Sequence, residues 1–246
     1  MKEDVILLKK EFRKIKALGL VEALRQGTTG VGYTFEKLLN KEEDQECKPD
    51  FKSIELKCKL GYSKSAITLF NCVPKKHNES AIKYIFEKYG YHRFGDKNDY
   101  KLFERKVFSN FSIKRFEYEF KLKVDYYSMK IVMQSYYKGV FIENVCSWDF
   151  KTLETKLKRK LTNLAIIQAY PYYRKNKKYY KYVKMNLYKL TSFFEFLKLV
   201  ENDKIFVNFY MKSALGKSDE FLIKDHGVGF KIKNDCIEEL FHKLRY

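Results

Sequence analysis

The sequence predicts a mixed α/β (α+β) fold, on three observations. Apolar residues at helical spacing alternate along the chain with runs of period two. One long stretch, Phe116 to Asn144, keeps period two across several turns, as an antiparallel meander with one wet face does. A third stretch, Pro49 to Lys59, reads as a strand with Ile54, Leu56 and Cys58 on one side and Glu55, Lys57 and Lys59 on the other.

The elements follow in order. Val5, Leu8, Phe12 and Ile15 recur at helical spacing, so about Glu3 to Leu18 forms an amphipathic helix that Gly19 ends. Gly27, Gly30 and Gly32 suit a tight loop, and Val31, Phe35, Leu38 and Leu39 then line a short helix with Glu36 off its stripe. The charged segment Lys41 to Lys48 reads as a loop. Ser63 to Ser65 is a turn, and Ala66 to Val73 a buried strand stopped by Pro74. Asn78 is placed to cap a helix to about Tyr89, with Ile82, Ile85, Phe86 and Tyr89 inside.

After polar, glycine-marked residues from Tyr91 to Asp99, the meander runs through Phe116 to Val124, Lys130 to Gln134 and Val140 to Val145. Asp149 is placed to cap a helix with Phe150, Leu153, Leu157 and Leu161 on one face and Lys151, Lys156, Lys158, Arg159 and Lys160 on the other. Leu164 to Ala169 is a short buried strand. Ser192 and Glu195 form a capping box ahead of Phe193, Phe196, Leu197 and Val200. Lys204 to Lys212 and Glu220 to Lys224 read as strands. Asn234 caps a final helix with Ile237, Leu240, Phe241 and Leu244 inside.

At 246 residues the chain is one large domain or two intimate lobes, and its 45% apolar content excludes a disordered tail. The formal charge of +19 points to a polyanionic partner. A codon bias toward Lys, Tyr and Phe accounts for part of the composition. It does not account for 50 Lys and Arg against 31 Asp and Glu. The five cysteines form no C-x-x-C pair, so reduced buried thiols are expected rather than a disulfide framework or zinc site. With neither a signal peptide nor a run of membrane-spanning length, no membrane partner and a cytoplasmic location are expected.

Chemistry centres on the strand after Pro49. A bend between Pro49 and the strand can bring Asp50 beside Glu55, and two carboxylates together suit Mg²⁺. Lys57 beside them can position water. This Asp…Glu-x-Lys set is what metal-dependent phosphodiester hydrolysis needs, although E-x-K also arises by chance on a solvated strand. Glu36 is either an exposed helical glutamate or a third carboxylate facing the same site. His77 is a loop histidine able to meet phosphate. Tyr170 to Lys184, with Arg174 and Lys178, interleaves basic and aromatic residues. That pattern can grip a phosphate backbone, and it is equally a solvated hairpin with aromatic cross-strand pairs. Asp225-His226-Gly227-Val228-Gly229-Phe230-Lys231 is a turn, or a segment whose glycines allow close approach to a ligand.

Taken together, Gly27 to Glu36, Pro49-Asp50, Ile54-Glu55-Leu56-Lys57, Thr68-Leu69-Phe70 and Asp225 to Phe230 resemble the MvaI/BcnI restriction endonucleases, relatives of the mismatch-repair nickase MutH. Ser147-Trp148-Asp149-Phe150 with Leu153 and Lys160-Leu161 fits a further, looser motif. The resemblance implies a PD-(D/E)XK mixed sheet flanked by helices, as a single two-lobed domain around a DNA cleft. Residues 1–110 would be mainly catalytic and 111–246 mainly for recognition. It implies Asp50, Glu55 and Lys57 as the catalytic set, with Mg²⁺ on Asp50 and Glu55 and Glu36 accessory. His77, Arg174, Lys178, Asp225, His226 and Lys231 are the candidate contacts to double-stranded DNA. It also implies a monomer, a target of the form CC-N-GG, 5′-phosphate ends and a cognate DNA methyltransferase. Where the family tends to have Arg after Phe230, this chain has Lys231, a poorer fork for guanine. A MutH-type nickase and a non-catalytic basic binding module are the competing expectations.

Overall fold

The computed structural model describes residues 2–40, 48–77, 79–93, 100–110, 117–215 and 221–245. The chain opens with helix α1 (Lys2–Ala17), a two-residue strand β1 (Val21–Glu22) and helix α2 (Gly30–Leu38). Strands β2 (Glu55–Leu60) and β3 (Ile67–Asn71), helix α3 (Ala81–Tyr89) and strands β4 (Tyr91–Arg93) and β5 (Tyr100–Val107) follow. The meander is β6 (Tyr118–Asp125), β7 (Lys130–Tyr137) and β8 (Val140–Asp149), leading into α4 (Phe150–Leu161). A long hairpin, β9 (Asn163–Arg174) and β10 (Lys177–Leu190), precedes α5 (Phe193–Glu201). The chain closes with β11 (Ile205–Leu215), β12 (Phe221–Asp225), β13 (Gly229–Ile232), a 3-10 turn (Asn234–Cys236), α6 (Ile237–Leu240) and β14 (Phe241–Lys243).

These elements form two compact units: residues 1–65, 156–191 and 237–246 make the first, and 66–155 with 192–236 the second. The division therefore does not fall once, near residue 110. Its physical reason is strand pairing. β9 returns to lie parallel to β2, and β14 returns to the edge of β10.

The first unit is a sheet in the order β1-β10-β9-β2, with β14 also on β10. Val5, Leu8, Phe12 and Ile15 of α1 pack with Val31 and Phe35 of α2 against Ile54, Leu56, Ile167, Tyr180 and Tyr182. The helical spacing of those four α1 residues thus does what the sequence implies. Phe35 is fully buried between the rings of Phe12 and Tyr182, and truncating such a ring costs about 3–5 kcal/mol. The Tyr182 hydroxyl donates to the Val31 carbonyl (2.9 Å), tying α2 to β10.

The second unit holds a sheet in the order β3-β13-β11-β5-β4, with β12 also on β11, and the separate meander β6-β7-β8. Its core is aromatic: Phe70, Phe196, Phe230 and Trp148 pack ring to ring. The Trp148 indole N–H donates to the Cys72 carbonyl (2.8 Å), which satisfies the one polar atom of a buried ring.

Several expectations shift. Ser192 caps α5 as expected, its Oγ accepting from Glu195 N (3.1 Å), while the Glu195 carboxylate meets Lys198 Nζ (3.0 Å). Helix α3 is capped by Ser80, whose Oγ accepts from Lys83 N (3.4 Å); Asn78 lies outside the described residues, as do Phe116, Glu220 and most of Lys41 to Lys48. The final helix stops at Leu240, and Phe241 to Lys243 is a strand because the open edge of β10 captures it. Asp149 ends β8, and its carboxylate meets Lys75 Nζ at 2.8 Å. Among the described residues no helix is long and apolar enough to cross a membrane.

Candidate active site

The bend ahead of the β2 strand is a tight turn at Lys52-Ser53. Phe51 and Ile54 exchange both backbone hydrogen bonds (2.9 and 2.8 Å), and Lys52 takes a positive φ of 51°. Ser53 Oγ donates to Asp4 of α1, and the Ser53 carbonyl accepts from Asn163 Nδ2 (3.1 Å), so the turn is pinned on both sides. The fold-back brings the Asp50 carboxylate to β2, where its Oδ2 accepts from Leu56 N at 3.1 Å. The geometry expected from Pro49 is thus produced three residues later.

Strand alternation places Glu55 on a polar face, yet Glu55 is 0% exposed. The cover comes from one neighbour in sequence and one distant residue. Lys57 Nζ lies 2.6 Å from Glu55 Oε1, and Lys160 Nζ, at the end of α4, lies 3.5 Å from the same atom. Glu55 Oε2 is buried with no hydrogen-bond partner. Burial raises the Glu55 pKa above the usual carboxylate value, and neighbouring Asp50 adds to the rise, while Lys57 and Lys160 oppose it. An anionic oxygen without a partner in a dry site is costly. It fits a cation.

Helix α2 supplies Glu36. Its Oε1 would lie 3.7 Å from a side chain at Gly32, and that side chain would come within 4.0 Å of Cys58. Burial pushes the Cys58 thiol well up, and the charges of Glu36 and Asp50 push it further. The start of α2 is held close by Gly30, where any Cβ would meet the Arg25 carbonyl oxygen at 2.2 Å. Asp50, Glu55 and Lys57 are therefore brought together, and Cys58, expected in the core, is half-buried within the field of both Asp50 and Glu36. Among the described residues no group of three or more His, Cys, Asp and Glu is arranged to hold a metal ion, so a cation here would rest on two carboxylates. Mg²⁺ suits such a place, because it binds through one or two carboxylates and completes its shell with water and substrate phosphate. Lys160 is the residue sequence reasoning did not assign to this site; it read as part of a basic helix face and of a loose family motif, with no role at Glu55.

Of the other candidates, Arg174 and Lys178 lie on the β9–β10 hairpin of the first unit. Its turn is Lys175-Asn176, both at positive φ, and the Lys178 ammonium sits 5.1 Å from the Tyr180 ring centre. The remainder belong to the second unit. His77 is exposed and lines a depression of about 740 Å³ with Lys75, Lys76 and Lys130. Asp225 Oδ1 accepts from Gly227 N (2.8 Å), closing a local turn. The His226 ring packs on Tyr210 at 4.8 Å. Lys231 is half-buried on β13. Burial lowers its pKa, and neighbouring Lys106 lowers it further. Two cations side by side, one of them partly dehydrated, suit a partner rich in acceptor atoms.

A mixed sheet whose strand carries Asp50 by fold-back, then Glu55 and Lys57, defines a nuclease of the PD-(D/E)XK fold. Residues 9–241 match the model of the MvaI/BcnI restriction endonuclease family, and the chain belongs to that family. It is thus a site-specific deoxyribonuclease. The structure of restriction endonuclease MvaI in complex with its cognate DNA is similar, with TM-score 0.88 and 30% identity over 99% of this chain and 98% of that one. MvaI in the absence of DNA matches with TM-score 0.63 and 25% identity over the same shares. No curated protein matches the chain.

Proposed function

We propose that this restriction endonuclease hydrolyses duplex DNA with Mg²⁺ held by Asp50 and Glu55. The observation that carries the reading is the buried Glu55, with one oxygen on two ammonium groups and the other without a partner. When bound, Mg²⁺ supplies Lewis-acid stabilisation of the charge that builds on the scissile phosphate. Lys57 and Lys160 keep Glu55 ionised against its burial. The Leu56 amide holds the Asp50 carboxylate in place. Lys57 orients the attacking water in line with the bond that breaks, and the products carry 5′-phosphate and 3′-hydroxyl ends. Glu36 adds negative charge at the margin.

MvaI has been captured on its cognate DNA, and duplex DNA is the substrate proposed for this chain. The proposed target is a short pseudopalindrome of the form CC-N-GG. The enzyme works as a monomer that cuts the two strands in separate events, and a cognate methyltransferase protects the host. The experiment is incubation with sequenced plasmid DNA and Mg²⁺, followed by mapping of the ends. Discrete double-strand cuts with 5′-phosphates are expected. Nicks alone would point to a repair nickase, and binding without Mg²⁺-dependent cleavage would end the proposal.

The pH profile follows from Glu55. A proton on this carboxyl competes with the cation, and the raised pKa means that it competes at a higher pH than an ordinary carboxylate would allow. Single-turnover cleavage is therefore expected to begin its decline on acidification above pH 4.5, the usual value for Glu. A rate that stays level down to that pH would contradict the role.

Lys231 is proposed to donate to guanine O6 or N7. Lys231→Ala should cost roughly 1–3 kcal/mol on the cognate duplex and relax choice at one base pair. Binding in Ca²⁺ to cognate, single-substituted and random duplexes measures this. Equal losses on all three would make Lys231 a phosphate contact.

A further inference from the structure

Lys160, the cation that reaches Glu55 from α4, is fixed by its surroundings in the first unit. Leu157 and Leu161 on either side of it are fully buried. Just beyond them, Asn163 Nδ2 donates to the Ser53 carbonyl (3.1 Å), and Leu164 lies opposite Glu55 in the parallel β2–β9 ladder. The end of α4 is thereby tied to the start of β2. The Lys160 ammonium stands 3.5 Å from Glu55 Oε1, the oxygen that Lys57 Nζ meets at 2.6 Å. One carboxylate oxygen thus carries two ammonium groups, while Oε2, buried as deeply, has no hydrogen-bond partner among the described residues. Two cations are one more than the charge of Glu55 requires. With Asp50 beside it, the two carboxylates and the two ammonium groups cancel, and Glu36 is left over at the margin. A divalent cation that enters this set without DNA meets Lys160 as a like charge on the same carboxylate. Away from bulk water such a repulsion is several times stronger than at an open surface.

We propose that Lys160 makes metal binding conditional on DNA. It is the counter-ion of Glu55 in the free enzyme, and the repulsion between it and the metal is relieved when the scissile phosphate brings negative charge beside both. The inference rests on the Mg²⁺ reading given above and adds to it a positioning residue that decides when the metal enters. A buried carboxylate needs a cation partner at all times, because an ionised oxygen left without one is costly. Lys57 alone could serve as that partner, so the second ammonium group answers a different need. It holds the empty site near neutrality and so weakens its pull on a divalent ion. Linkage then works in both directions: DNA raises the affinity for metal, and metal raises the affinity for DNA by the same factor. The free enzyme stays largely without metal, and the cutting machinery is completed only on the substrate.

The test titrates Ca²⁺, used in place of Mg²⁺ to block cutting, into the free protein and into its complex with a short duplex carrying the mapped cut site. Calorimetry at alkaline pH and fixed ionic strength gives the metal affinity, and DNA affinity is measured with and without Ca²⁺. In wild type, DNA should tighten Ca²⁺ by about 10–100-fold, and Ca²⁺ should tighten DNA by the same factor. Lys160→Met keeps the length of the stem and removes its charge. The free variant should bind Ca²⁺ about 10–100-fold more tightly than free wild type, and its coupling to DNA should shrink to match. Lys160→Arg, which keeps the charge, should keep the coupling. A purely structural role for Lys160 predicts the opposite for Lys160→Met: a lower thermal midpoint and weaker Ca²⁺ binding with and without DNA. That result overturns the inference, as does loss of coupling in Lys160→Arg. Equal Ca²⁺ affinity of wild type with and without DNA overturns it too, and needs no variant to fold. Asp50→Ala should lose the Ca²⁺ site altogether. If it binds as wild type does, the metal site proposed above is overturned, and this inference with it.

Discussion

Asp50→Ala is expected to reduce Mg²⁺-dependent cleavage by about 10³-fold or more while DNA binding persists. The separation follows from how the residue is held. The turn that returns it to β2 is closed by the paired backbones of Phe51 and Ile54 and pinned through Ser53 to Asp4. Neither support involves the Asp50 side chain, so alanine removes a carboxylate and one acceptor for Leu56 N and leaves the scaffold standing. Lys57→Ala should be as damaging, since it removes the group proposed to hold water. Glu36→Gln should be milder than Glu55→Gln, because Glu36 arrives on a separate helix. Rapid-quench cleavage, paired with binding in Ca²⁺, makes the comparison. Near wild-type cutting by Asp50→Ala would mean that the active site lies elsewhere.

The second large effect is on affinity. Binding to DNA should weaken steeply with salt, because each lysine or arginine on a phosphate releases condensed counterions. With roughly 6–10 phosphate contacts the loss is about 10³–10⁵-fold between about 50 and 200 mM salt. The formal charge of +19 supplies more cations than that count requires. The exposed hairpin turn with Arg174, Lys175 and Lys177 is one local concentration of them. Neutralising Lys175 and Lys178 together should lower the slope of log affinity against log salt without changing which sequence is preferred. A nearly flat salt response would exclude a binding mode dominated by phosphate contacts.

The parts of the fold that could be read in advance are those governed by a local period. The stripe of α1, the alternation in the meander and the Ser192 cap each follow from neighbours a few residues apart. The turn at Lys52-Ser53 could not be read, because neither residue advertises a positive φ. Glu55 was legible as chemistry but not as buried, since its cover comes from Lys160, which meets it only after the chain has passed through the other unit. Phe241 to Lys243 continues a helical apolar pattern, and only the vacant edge of β10 makes it a strand.

The parallel pairing of β2 with β9 sets a timetable. Glu55 lies opposite Leu164, so the strand bearing Glu55 and Lys57 is synthesised about 100 residues before its partner, a wait of roughly 5–20 s at ordinary rates of translation. Through that interval Ile54 and Leu56 lack the β9 side of their core, and Lys160 has yet to reach Glu55. A chain released early carries Asp50, Glu55 and Lys57 with nothing to hold them in register. Products of translation that end before β9 therefore lack both the strand beside Glu55 and Lys160, and the site assembles only after about two thirds of the polypeptide has been made.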